Sequence, residues 1–144
     1  NKPDQGERMG YIAYCKQCGM RDVNQNITNT CNICDSAIEN AGPLWIGKIF
    51  DKEFVVIMKS ELSNLTVNKR CDKILEKCYE ESDLQPTYYT LDEIASRMKS
   101  PPLRLENAIK KLHESGFTAS KTSLNPTGFR TNCKIDDILK VFEN

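Results

Sequence analysis

Cys15-Lys16-Gln17-Cys18 and Cys31-Asn32-Ile33-Cys34 are two Cys-x-x-Cys pairs with twelve residues between them. Four thiolates at that spacing can close on one tetrahedral zinc ion, each pair on a tight turn and the segment between them returning the chain. Gly19 follows the second cysteine, where a backbone bending around a metal favours a residue without Cβ. The stretch Asn24-Gln25-Asn26-Ile27-Thr28-Asn29 is too polar to build a core, so a structural ion is the natural way to hold it. Two other readings exist. Two disulfides would suit a small secreted domain, but nothing here looks secreted. A redox-active pair normally occurs singly at a helix start. Four thiolates leave no open position for water, so the zinc is structural rather than catalytic. The single histidine, His113, lies far along the chain and reads as a helix-surface residue.

A chain of 144 residues holds one domain or two small ones. Its residues are 39% hydrophobic, enough for a core, and its formal net charge is zero, so no global field favours nucleic acid. The charge is unevenly spread. From Ser96 to Lys134 there are eight basic residues (Arg97, Lys99, Arg104, Lys110, Lys111, Lys121, Arg130 and Lys134) against Glu106 and Glu114. Such asymmetry points to a basic face, although a solvated helix surface gives the same pattern. Seven cysteines and no signal peptide indicate a reducing compartment: cytoplasm, or nucleus or mitochondrion in a eukaryote. Cys71 and Cys78, seven apart, share one helix face as small apolar residues. No apolar run approaches the ~20 residues of a membrane span. Asn1 to Arg8 is polar and reads as frayed, and the absence of an initiator methionine suggests a fragment.

Gly10–Tyr14 reads as a strand feeding the cysteine box. Gly42-Pro43 then launches an extended apolar run to Phe50 that carries the only tryptophan, Trp45, expected to be buried. Asp51 is an N-cap candidate, and Phe54, Met58, Leu62 and Leu65 form one helical face expected to point inward. A second helix is expected over Asn68–Glu81 with Ile74, Leu75 and Cys78 inward, ended by Asp83-Leu84-Gln85-Pro86. Thr90-Leu91-Asp92-Glu93 is a capping box. Ser100-Pro101 predicts the next helix start, serine as cap and proline at the first position, with Gly116 as its stop. Phe117–Ser120 and Gly128–Thr131 flank Asn125-Pro126 as a hairpin, and a short helix closes the chain over Asp136–Phe142. The fold class expected is therefore α+β. A small zinc-bound, ribbon-like segment of four cysteines with flanking strands (1–50) precedes a helical, winged-helix-like domain with a β-hairpin (51–144).

At Gly42-Pro43-Leu44-Trp45-Ile46-Gly47 and Asp51-Lys52-Glu53-Phe54 the chain resembles the C-terminal domain of the tRNA (guanine-26-N2) dimethyltransferases. Gly116-Phe117-Thr118-Ala119-Ser120-Lys121-Thr122 and Asn125-Pro126-Thr127-Gly128-Phe129-Arg130-Thr131 extend the resemblance. The cysteine pairs fit the zinc-bearing members. The resemblance implies a parent enzyme whose N-terminal Rossmann-like domain binds S-adenosylmethionine and methylates a guanosine amine at the hinge of tRNA. No Gly-rich cofactor turn and no Asp-Pro-Pro-aromatic motif stand in this chain, so no catalytic residue carries over and the fragment alone should be inactive. The metal ligands expected are Cys15, Cys18, Cys31 and Cys34.

Three roles follow. In the first, the chain holds tRNA through Arg97, Lys99, Arg104, Lys110, Lys111, Lys121 and Arg130, by shape and phosphate contacts. In the second, a zinc ribbon and winged helix serve a transcription factor, with the helix Leu103–Ser115 reading duplex DNA. In the third, the domain packs on the methyltransferase domain through the Trp45 strand and barely touches RNA. No membrane is implicated in any of them.

Overall fold

The computed structural model describes residues 8–143, so the expectation of a frayed start lies, Arg8 apart, outside the described residues. It is α+β, with five α-helices and two small antiparallel sheets among the described residues. They divide into two compact units. One runs to Gly47 and takes in Cys133–Phe142; the other is Lys48–Asn132. The closing helix groups with the first unit. Its periodicity announces a helix without saying which core receives it.

The first unit is built on β1 (Met9–Tyr14), which lies between β2 (Arg21–Asn24) and β3 (Glu39–Trp45). Both pairings are antiparallel, with Ile12 opposite Val23 and Met9 opposite Trp45. Ala13, Cys15, Met20 and Cys31 are the buried apolar residues of its sheet and cysteine turns. The run expected over 41–50 is a strand only to Trp45, and Gly42-Pro43, joined by a cis peptide bond, lies inside it rather than before it. Trp45 is not buried: 42% of it is exposed, with the Arg8 guanidinium 5.6 Å from its ring centre. It ends an edge strand whose residues are mostly exposed, so the ring meets a cation from just before β1 and not a core. The closing helix α5 (Ile135–Glu143) buries Ile135, Ile138 and Phe142.

In the second unit Asp51 caps α1 (Lys52–Glu61), its carboxylate accepting from the Phe54 amide at 3.0 Å. A 3-10 turn, Leu62–Asn64, follows. The face expected to point inward does not. Phe54, Met58 and Leu65 are exposed, and Val55 is the buried residue of the helix, in a cluster with Leu75 and Cys78 against Phe50, Leu62 and Tyr79. Phe54-Val55-Val56-Ile57-Met58 is apolar all round, so periodicity cannot choose a face. Lys52 and Lys59 choose it by lying over the Tyr79 ring, with Lys52 also reaching Asp83 and Lys59 reaching Glu76. The second helix, α2 (Arg70–Glu81), buries Leu75 and Cys78 as expected, but Ile74 is half exposed.

β4 (Tyr89–Thr90) leads directly into α3 (Leu91–Met98), where the Thr90 hydroxyl accepts from the Glu93 amide. The next helix does not start at Pro101. Pro102 disfavours the helical region for the residue before it; 101–104 form no helix or strand, Arg104 is extended, and α4 (Leu105–Glu114) begins after it. Gly116 stops it at φ 85°, with its own amide on the His113 carbonyl and the Phe117 amide on that of Leu112. β5 (Ala119–Lys121) and β6 (Gly128–Thr131) form the expected hairpin, and β4 adds to its far side, giving the order β4-β6-β5.

Arg130 on β6 and Glu81 at the end of α2 are 2.5 Å apart and essentially unexposed. The second carboxylate oxygen of Glu81 accepts from the Ser123 amide at 2.8 Å and from its hydroxyl. Arg130 Nη1 donates to the Gln85 carbonyl at 2.5 Å. Removing one partner strands the other charge, so Glu81→Gln should destabilise this unit by about 3–5 kcal/mol in urea unfolding. At Gly116 an added Cβ would meet nothing within 4 Å. Gly116→Ala should therefore cost only its left-handed backbone, about 1–2 kcal/mol by the same measurement. Asp83 lies between Lys48 at 2.6 Å and Lys52 at 2.5 Å, which hold its carboxyl down at about 2. A depressed acid stabilises above its ordinary range, and that contribution is lost as pH falls through about 2. Asp83→Asn should flatten this acid limb of an unfolding profile.

Candidate metal centre and nucleic-acid surface

The cysteine pairs form two matching turns. After Tyr14 the Cys15 amide donates to the Met20 carbonyl at 2.9 Å, and the Gly19 amide returns to Cys15 at 2.8 Å. After Thr30 the Cys31 amide donates to Ser36 at 2.9 Å, and the Asp35 amide returns to Cys31 at 3.0 Å. Gly19 and Asp35 hold the same place and both take positive φ, 82° and 57°. Glycine does this without strain, and aspartate is among the few side-chain-bearing residues that tolerate it. The role of Gly19 is legible from the sequence. That of Asp35 escapes sequence reasoning, although its position after the second Cys-x-x-Cys is an available signal.

The turns bring all four Sγ atoms within 4.8 Å of one another. Cys15 lies 3.5 Å from Cys34, and Cys18 lies 3.6 Å from Cys31. A disulfide would need about 2.05 Å, and all four cysteines are free. A tetrahedral ion with metal–sulfur bonds of about 2.3 Å puts its ligands about 3.8 Å apart, so the spacing fits a closed four-sulfur centre. The amide of Ile33 donates to the Cys31 sulfur at 3.4 Å. The Ser36 hydroxyl and amide bring the Cys34 thiol down to about 6, while burial pushes Cys18 up to about 12 against the Met20 amide. Thiols so crowded do not ionise together unaided, and a divalent cation at their centre lets them do so. The donor set has no position left for a reacting water.

The basic residues are unequal once placed. Lys99, left-handed at the end of α3, is exposed, as is Arg104 before α4. Lys110 is exposed on α4 beside Glu114 at 3.7 Å, and Lys111 is half-buried. Lys121 is 2.6 Å from Glu106, and Arg97 is 3.6 Å from Glu93 and mostly covered. Arg130, at 1% exposed, is not a surface cation at all, which corrects its expected place among the RNA contacts. An open cleft of about 650 Å³ between α2, α4 and β5 is walled by Lys52, Tyr79, Glu106, Lys110, His113 and Lys121. His113 is exposed on α4 as expected, and its Nε2 lies 2.8 Å from the Ala119 carbonyl oxygen. No helix among the described residues is long and apolar enough to cross a membrane.

One unit carries a cluster of four sulfurs that could hold a metal ion and the other a helix–hairpin surface, in an α+β chain. The chain belongs to the N2,N2-dimethylguanosine tRNA methyltransferase family, whose model matches residues 2–143. It is 33% identical over 138 residues to the tRNA (guanine(26)-N(2))-dimethyltransferase of Methanosphaera stadtmanae, covering 92% of this chain and 35% of that protein. It is 34% identical over 145 residues to the tRNA (guanine(26)-N(2)/guanine(27)-N(2))-dimethyltransferase of Aquifex aeolicus, covering 95% of this chain and 35% of that one. Among solved structures, Trm1 from Pyrococcus horikoshii with S-adenosyl-L-methionine superposes with a TM-score of 0.76 at 28% identity. That match covers 94% of this chain and 35% of the other. The chain thus spans about a third of the length of the relatives it matches.

If the four sulfurs hold an ion, protein purified without chelator should carry one zinc per chain by elemental analysis. Cys31→Ser should lose it and speed hydrogen exchange across residues 11–38, while α3, α4 and the hairpin keep their protection. A metal-free protein with the same protection across both turns would contradict this.

Proposed function

We propose that this chain is the non-catalytic C-terminal part of an S-adenosylmethionine-dependent tRNA guanine-26 N2-dimethyltransferase, and that it helps hold the tRNA. Membership of the family is the observation that carries the reading. The cofactor and the methyl-transfer chemistry belong to the rest of the parent protein, with which this part works in a reducing compartment such as the cytoplasm. A structural zinc on Cys15, Cys18, Cys31 and Cys34 holds the first unit. The second is winged-helix-like. Its order α2, β4, α3, α4, β5, β6 and its sheet order β4-β6-β5 support this, with α4 in the place of the presented helix. The family match does not favour the transcription-factor reading.

The RNA surface we propose is Lys99, Arg104, Lys110 and Lys111, with Lys121 at its edge. Arg97 is mostly covered and adds little. These cations meet phosphates, because the deep groove of an RNA helix offers side chains no readable sequence. In filter binding of tRNA by the full-length protein, Lys110→Glu with Lys111→Glu should weaken all tRNAs alike. The double variant should also lower the salt slope by about 2, one for each phosphate no longer neutralised. Unchanged affinity and slope would instead leave the domain a structural support, in which Trp45→Ala should matter more. Calorimetry of this chain alone with S-adenosylmethionine should show no binding; measurable heat would place part of the cofactor site here.

A further inference from the structure

We propose that the exposed apolar face of α1 is the docking site for the remainder of the parent protein; this rests on the reading that the chain is one part of a longer methyltransferase. Phe54 is 60% exposed, Ile57 57% and Met58 42%. Their spacing of three and four puts them on one helix face. Leu65, 61% exposed, follows just beyond the 3-10 turn. Single exposed apolar residues are ordinary, but several large ones clustered on one helix face mark an interaction surface. An adjacent side of the helix is already used, with Val55 buried in the α1–α2 cluster.

The occupant follows from charge and size. On the helix wheel Glu53 borders this face and Glu61 falls on it at its C-terminal end, while the cations Lys52 and Lys59 are turned toward Asp83, Glu76 and Tyr79. An apolar face bordered by carboxylates repels phosphate, so RNA is not its partner. A few side chains also fall short of the roughly 1,200–2,000 Å² of a stable complex between separate proteins, which argues against a second copy. Within one chain the partner arrives at millimolar effective concentration, and a modest patch suffices. The matched relatives carry that further chain, since this one covers only 35% of their length.

Thiol labelling of the full-length protein without RNA tests this. Ile57→Cys and Leu124→Cys replace residues of nearly equal exposure, 57% and 58%. With a neutral maleimide, and rates read peptide by peptide by mass spectrometry, Ile57→Cys should react at least ten-fold more slowly (~1.4 kcal/mol). Adding Phe54→Glu and Met58→Glu should restore its rate; both sites are exposed, so the fold tolerates the change. Equal rates at the two cysteines, or protection of Ile57→Cys that vanishes on dilution, would overturn the proposal. No tRNA is present, so the result is independent of whether this chain contacts RNA.

Discussion

The second unit depends on an ion pair that water does not reach. Burying the Arg130 guanidinium and the Glu81 carboxylate costs several kcal/mol per charge, and their attraction offsets this only when further hydrogen bonds complete the geometry. Here they do. Ser123 gives the carboxylate its amide and hydroxyl, and the Gln85 carbonyl accepts from the guanidinium. The pair therefore joins four places in the chain: the end of α2, the bend after it, the turn of the hairpin and the middle strand of the sheet. Because β6 pairs with both β4 and β5, fixing it fixes the start of α3 and the strand that follows α4. The cations proposed to meet RNA stand on that frame.

Local chemistry is legible in the sequence where one residue decides a backbone geometry. The spacing of the cysteines, the caps at Asp51 and Thr90 and the stop at Gly116 are all present as read. Choices made by packing are not legible. Five consecutive apolar residues on α1 let tertiary contacts decide which face turns inward. The size of Trp45 predicts a core position, yet it ends an edge strand and stays 42% exposed. Ser100-Pro101 predicts a helix start, although the second proline disfavours it. The charge of Arg130 suggests a surface cation, and only the fold shows the carboxylate that binds it.

The basic segment also changes character in three dimensions. Glu106 lies against Lys121, Glu114 beside Lys110 and Glu93 beside Arg97, so part of the positive charge is neutralised locally. The exposed pairs, Lys110 with Glu114 and Lys121 with Glu106, are weak and can be exchanged for phosphate contacts. At a screening length of about 8 Å, the nearest charges dominate what an approaching phosphate feels. Those are Lys99, Arg104 and Lys111, which make no ion pair among the described residues.

The central claim is that Arg130 builds the frame and does not meet RNA. The direct test is tRNA affinity of the full-length protein carrying Glu81→Leu and Arg130→Met together, measured well below its unfolding midpoint. An apolar pair removes both charges at once and leaves neither stranded, so the frame persists. The account predicts wild-type tRNA affinity and an unchanged salt slope. A folded double variant that loses affinity with a slope reduced by about 1 would show that Arg130 contacts a phosphate, and would contradict the account.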